Sequence, residues 1–232
     1  MKKMTLNSLL FLGLVAATST VNAKTVEDFQ TWAAITATGR LDFISPQLYN
    51  MKYWLEGTGR FGNDTSIYSQ GMIRTGLGYT LTNTVSIWLG YAFVETEQPF
   101  AKKPFDEDRI WQQLLWNDKF ADITLSARSR LEQRFMETGN DVGWRFRQQV
   151  KASVPIAYDF SFVVSDEYFA NINKTNYGAD NGFDQNRVFA GIGYNFDKNI
   201  KTEVGYMNQY IRKAKAADRM DDILSLNLSL NY

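Results

Sequence analysis

The chain has 232 residues, 25 basic and 25 acidic side chains, and neither cysteine nor histidine. This excludes disulfides and thiolate chemistry, removes the usual imidazole base, and leaves no basic surplus for a nucleic acid. Aromatic residues are plentiful at 15 %, while overall hydropathy is slightly polar.

The amino terminus reads as a targeting segment. Met1, Lys2 and Lys3 form a short positive region, residues 9–17 an apolar run, and Val21-Asn22-Ala23 a small-residue cleavage site. That is the order of a secretory signal peptide, and the apolar run is too short to span a bilayer. Residues 1–23 are expected to be removed and residues 24–232 to form one domain. Without Lys2 and Lys3 the mature chain keeps 23 basic against 25 acidic groups. No later stretch is apolar enough for a transmembrane helix.

From there the dominant period is two, the period of a strand. Residues 29–38 alternate weakly and form a short first strand. Tyr49, Met51, Tyr53, Leu55 and Phe61 alternate with Lys52, Trp54, Glu56 and Arg60. Ile73, Leu77 and Tyr79 alternate with Met72 and Arg74, and Val85, Ile87, Leu89, Tyr91 and Phe93 follow a turn at Thr82-Asn83. Residues 109–117 are strand-like, but Ile110, Leu114 and Trp116 compete with Trp111 and Leu115, so the faces stay unassigned. Ile123, Leu125, Ala127, Leu131 and Phe135 oppose Arg128, Arg130, Glu132 and Arg134; Trp144, Phe146 and Val150 oppose Arg145, Arg147 and Lys151. Phe160, Phe162, Val164 and Tyr168 oppose Glu167, Val188 and Ile192 oppose Arg187, and Val204 and Tyr206 oppose Glu203. The last strand is Leu224, Leu226, Leu228, Leu230 and Tyr232, with Ser and Asn between.

Tight connections are expected at 82–83, 117–120, 155–157 and 197–199, and longer polar ones at 97–108, 137–142, 171–183 and 212–219. Short turns alternating with long loops are what an up-and-down barrel of a bacterial outer membrane shows. Only four prolines occur, none in the middle of a clear strand. The expected fold is all-β, a single antiparallel up-and-down transmembrane β-barrel of about 10–12 strands. Eleven candidates are countable, but barrels of this kind have an even number. Either the first segment stays out of the wall, giving ten, or one strand is unseen, giving twelve.

Alternation alone does not say which face is inside. A soluble carrier barrel turns its apolar residues inward; a membrane barrel turns them to lipid. Runs of arginine on the polar faces favour the second. So do the aromatics that end apolar faces, Tyr79, Phe93, Phe135, Phe196, Tyr210 and Tyr232, as interfacial girdles do. The closing strand, Leu224, Leu226, Leu228, Leu230 and Tyr232, resembles the carboxy-terminal assembly signal that outer-membrane barrels present to the barrel-assembly machinery. Several blocks carry a resemblance over the mature chain: Phe29-Gln30-Thr31-Trp32, Arg109-Ile110-Trp111-Gln112-Gln113-Leu114, Arg128-Ser129-Arg130-Leu131-Glu132-Gln133-Arg134-Phe135, Asp166-Glu167-Tyr168-Phe169 and Asn186-Arg187. They are similar to a family of small bacterial outer-membrane barrels known only as a domain of unknown function. The resemblance implies a barrel in the outer membrane of a Gram-negative cell, and no activity.

No enzyme is expected: the serine and aspartate hydrolases of such membranes lean on a histidine, and each Glu here reads as an ion-pair partner. No cofactor or metal is expected, since only oxygen donors remain and the loop holding Asp180, Asn181 and Asp184 lacks the EF-hand spacing. Expected partners are outer-membrane lipid, the barrel-assembly machinery during insertion and small solutes. The lumen candidates are Arg60, Arg74, Arg128, Arg130, Arg134, Arg145, Arg147, Lys151 and Arg187, with Glu56, Glu132, Glu167 and Glu203. Two functions follow. A basic stripe beside water makes a narrow porin-like channel for small, preferentially anionic solutes. Alternatively, Arg–Glu pairs plug the lumen and the outer loops bind a partner, polysaccharide or lipid. Barrel size does not choose, because ten to twelve strands lie between a filled and an open interior.

Overall fold

The computed structural model describes residues 25–213 and 216–232; the leader read in residues 1–23 lies outside them. Eleven strands close into one barrel. They are β1 (Val26–Arg40), β2 (Met51–Gly62), β3 (Ile67–Thr80), β4 (Val85–Thr96), β5 (Phe105–Phe120), β6 (Ile123–Met136), β7 (Val142–Ala157), β8 (Phe160–Asn171), β9 (Gly182–Asn195), β10 (Ile200–Ile211) and β11 (Arg219–Asn231). A 3-10 turn, Pro46–Leu48, interrupts the connection after β1.

The even count is overturned. The weak first segment enters the wall, and no twelfth strand is needed. Sequential neighbours pair antiparallel, but β1 and β11 pair parallel, from Val26 opposite Arg219 to Thr38 opposite Asn231. A closed antiparallel meander needs an even number; a parallel seam removes that requirement. Parallel ladders are slightly weaker per residue, and here thirteen consecutive pairs offset that. The last residue takes part: the Tyr232 amide donates to the Thr38 carbonyl, and the Arg40 amide donates to the Tyr232 carbonyl, at 2.8 and 3.0 Å.

Two turn positions also differ from the sequence reading. β5 runs on to Phe120 and β7 to Ala157, so the reversals fall at 121–122 and 158–159. Ala121 and Tyr158 carry the positive φ (51° and 50°) that a two-residue hairpin demands, and neither residue type advertises it. Pro155 is tolerated inside β7 because the register shifts there, where a bulge relieves the missing donor. Connections at one mouth are mostly short: 81–84, 121–122, 158–159 and 196–199. The opposite mouth carries 97–104, 137–141, 172–181 and 212–218. The exceptions are 41–50 at the short-turn mouth and 63–66 at the other.

Each strand turns its apolar side outward. Ile73 is 70 % exposed and Leu89 58 %, with Ile35, Leu55, Val150 and Tyr206 similarly bare. Many buried positions are instead Arg, Glu and Gln, beside a smaller set of inward rings and aliphatic side chains. Chains that fold in water do the reverse, since burying apolar area drives folding and unpaired charges resist burial. The inward aromatics are seated on glycine. A Cβ at Gly78 would stand 2.5 Å from the Trp88 ring, and one at Gly76 would stand 2.6 Å from Trp111. Trp54, Trp88 and Trp111 fill the space so left, packing edge to face (Trp54–Trp88 5.6 Å, Trp54–Trp111 6.3 Å).

Candidate functional site: a charged lumen

A cavity of about 1010 Å³ occupies the barrel interior. Its lining runs from Lys52, Asn117 and Tyr232 at the short-turn mouth to Phe100, Phe105 and Lys213 at the long-loop mouth. Thirteen basic and six acidic side chains border it. The excess of seven positive charges is set by strand parity: each arginine shares a face with the small and polar residues of its own strand, opposite the apolar face.

Every lumen candidate named from the sequence points inward, and eleven of the thirteen border the cavity. Arg130 and Glu132 do not reach it; each is 1 % exposed and packed into the wall. Arg130 gives two bonds to Gln113 Oε1 and stacks over Trp111 at 4.7 Å. Glu132 accepts from Arg145 Nη2 and Arg147 Nη1, both at 2.7 Å.

The arginines are organised by shared carboxylates. Glu56 receives Arg74 at 2.7 Å, and the Trp54 indole N–H donates to it at 3.0 Å. Glu167 receives Arg147 at 2.8 Å and Arg128 at 2.6 Å. The second pair reaches from β6 to β8, past the intervening strand. Lys151 on β7 reaches farther, to Glu203 on β10 at 2.6 Å, where Lys201 joins at 3.0 Å. Such chords narrow the lumen and brace its wall. Charge-assisted pairs of this kind are the strong ones, and they offset the cost of bringing charge out of bulk water.

Sequence reasoning missed a second set. Glu107 holds Arg109 (2.7 Å) and Arg134 (2.5 Å) near the long-loop mouth. Arg219 bridges Asp221 (2.6 Å) and Asp28 (3.0 Å) across the parallel seam. Asp28 Oδ2 also accepts from the Asn63 amide and Oδ1 from the Asp64 amide, fixing a loop of positive φ. The signal for Glu107 and Arg109 was present in their two-residue spacing with Trp111 and Gln113. It was masked by large apolar residues on both faces of β5: Trp111 and Leu115 turn inside, while Ile110 and Leu114 face out. At the same mouth the Tyr210 hydroxyl and the Lys213 amide both donate to Asp218. Those two bonds hold the Asp218 carboxyl below its usual range and pin the loop that carries Lys213.

Fold and interior together define a small β-barrel with an apolar outside and a cationic, ion-paired lumen. The chain belongs to the family described as protein of unknown function (DUF2490), whose model matches residues 29–221. It is also similar to an uncharacterised protein of Methylorubrum extorquens, 31 % identical over 225 residues that cover 95 % of each chain. The matched span takes in every strand from within β1 to the start of β11.

Proposed function

We propose that this barrel lies in the bacterial outer membrane and passes small, preferentially anionic solutes through its lumen, with no catalysis. One observation carries the reading: a cavity whose lining extends from mouth to mouth, with thirteen basic and six acidic side chains. Rings of one charge sign set the selectivity of a pore. The outward apolar face supports the membrane setting. So does the placing of Tyr79, Phe196 and Tyr232 towards one mouth and Phe135 and Tyr210 towards the other, which suits two interfacial girdles. In this reading Leu224, Leu226, Leu228, Leu230 and Tyr232 serve as the assembly signal, and Tyr232 is also bonded into the seam.

The test is conductance of the refolded mature protein in a planar bilayer, with reversal potential under a salt gradient. Discrete steps with an anion/cation permeability ratio above one are expected. Neutralising Lys52 and Lys213, which line the cavity at opposite mouths and have no carboxylate partner among the described residues, should bring that ratio closer to one. Arg130→Gln should instead lower stability and leave the ratio unchanged, because Arg130 does not border the cavity. A second reading has its own observation. The chords Arg128–Glu167 and Lys151–Glu203 cross the lumen, as they would in a plugged barrel whose loops bind a partner. Electrical silence from folded, inserted protein would favour it.

A further inference from the structure

We propose that Arg60 and Arg187, on either side of the lumen from β2 and β9, form with Trp32 a binding subsite for a small dianion. Its class is a dicarboxylate or a phosphomonoester. The proposal rests on the reading of the lumen as a solute path, and it names what that path selects.

Arg60 and Arg187 differ from the other inward arginines. Arg74, Arg109, Arg128, Arg130, Arg134, Arg145, Arg147 and Arg219 all lie within 4.0 Å of a carboxylate. Among the described residues Arg60 and Arg187 have none. Their anchors are neutral. Arg60 Nη1 donates to Gln70 Oε1 at 2.6 Å, and Gln70 is itself fixed through its amide nitrogen on Thr96 at 2.8 Å. Arg187 Nε donates to Gln209 Oε1 at 2.8 Å, and Gln209 is fixed by donating to Asp221 at 3.0 Å. Glu167 stands opposite Arg187 across the β8–β9 ladder, but its ion-pair contacts go to Arg128 and Arg147. Each guanidinium is thus oriented by a neutral partner without a carboxylate contact of its own, and both side chains border the cavity.

Trp32 brings the two together. The Arg60 guanidinium carbon is 3.8 Å from the Trp32 ring centroid and that of Arg187 is 4.8 Å from it. The pair therefore cannot lie farther apart than those two distances combined, a span that the two ends of a four-carbon dicarboxylate can bridge. Arg187 also stacks on Phe169 at 4.6 Å. The Trp32 ring is held by its own N–H donating to Gln30 at 2.8 Å. Stacking leaves the edge N–H groups of a guanidinium free, and a planar fork of such donors suits carboxylate and phosphate oxygens. Two cations without carboxylate contacts, held within that span of each other in a narrow interior, are costly. A bound dianion removes both costs at once, whereas a monoanion leaves one guanidinium unmatched.

The test titrates the refolded, detergent-solubilised mature protein with succinate, glycerol phosphate, acetate and chloride, read by calorimetry. Succinate or glycerol phosphate is expected to bind at least about tenfold more tightly than acetate, the factor that 1.4 kcal/mol of added interaction gives; the tighter of the two names the class. Arg60→Gln and Arg187→Gln should each lose that preference, Arg60→Lys should retain part of it, and Lys198→Gln on an exposed turn should leave it intact. Equal affinity for succinate, glycerol phosphate and acetate in the wild type would overturn the subsite. So would a folded single variant that binds as the wild type does, and the singles decide the matter if a double variant does not fold. Bilayer recordings separate this from the conduit. Anion-leaning steps without dianion preference remove the subsite and keep the path. Dianion binding in an electrically silent barrel keeps the subsite and removes the path.

Discussion

Glu132→Ala is expected to be among the most destabilising single changes in this barrel, by about 3–5 kcal/mol, the range for removing one partner of a buried ion pair. The Glu132 carboxylate sits among three guanidiniums: Arg145 and Arg147, each at 2.7 Å, and Arg130 at 3.9 Å. Its loss would be unequally felt. Arg147 keeps Glu167, and Arg145 keeps Asp184 at 3.6 Å. Arg130, sealed from the cavity, would keep the Gln113 amide oxygen and the Trp111 and Trp54 rings, and no carboxylate among the described residues. Thermal unfolding in detergent, followed by the heat-modifiable gel mobility of the barrel, checks this. Adding Arg130→Met to Glu132→Ala should recover part of the loss, because the orphaned charge then disappears. A double-mutant cycle measures that coupling. Equal loss with and without the second change would mean that Arg130 does not depend on Glu132.

Trp111→Ala is expected to cost about 3–5 kcal/mol as a large-to-small change and, unlike Glu132→Ala, to raise conductance. Trp111 has no exposed surface. It rests on Gly76 and Gly90, meets Trp54 edge to face and carries Arg130 on its ring. Removing it takes away the backing of Trp54, which does border the cavity. Beside the apolar neighbours Met72, Trp88, Ala92 and Val94, the void would meet the Arg130 guanidinium, which gives water a polar partner there. That places the stability loss nearer the lower figure and widens the path. Single-channel steps larger than wild type, from protein whose unfolding midpoint has dropped, are the expected pair of results. A folded variant with unchanged steps would place the narrowest point away from the tryptophan cluster.

Much of the barrel was legible because its pattern is simple and inverted. Period-two alternation with arginine on one face fixes strand identity and side-chain direction together, as for Arg128, Arg130 and Arg134 on β6. Legibility failed where both faces of a strand carry bulky apolar residues. On β5, Trp111 and Leu115 turn inward while Ile110 and Leu114 turn outward. What admits the inward ring is glycine on β3 and β4, some twenty to thirty-five residues away in sequence, so no local pattern could announce it. The strand number failed for a different reason. Parity assumes antiparallel closure, and whether Val26 meets Arg219 in the same or the opposite direction is a property of two segments nearly the whole chain apart. Which arginine pairs with which glutamate was equally hidden, since Lys151–Glu203 spans three strands. Two unpartnered cations among many paired ones cannot be told from composition either; Arg60 and Arg187 look like the rest until the partners are placed.

The parallel seam has a topographical consequence. An even meander is a string of hairpins and returns both chain ends to the side from which it set out. Eleven passes do not. Val26 lies at the long-loop mouth, beside Arg219, and Tyr232 lies at the short-turn mouth. A label fused just ahead of Val26 and another fused behind Tyr232 would thus stand at opposite mouths of the barrel. The polypeptide is a thread that enters the wall at one mouth and leaves it at the other.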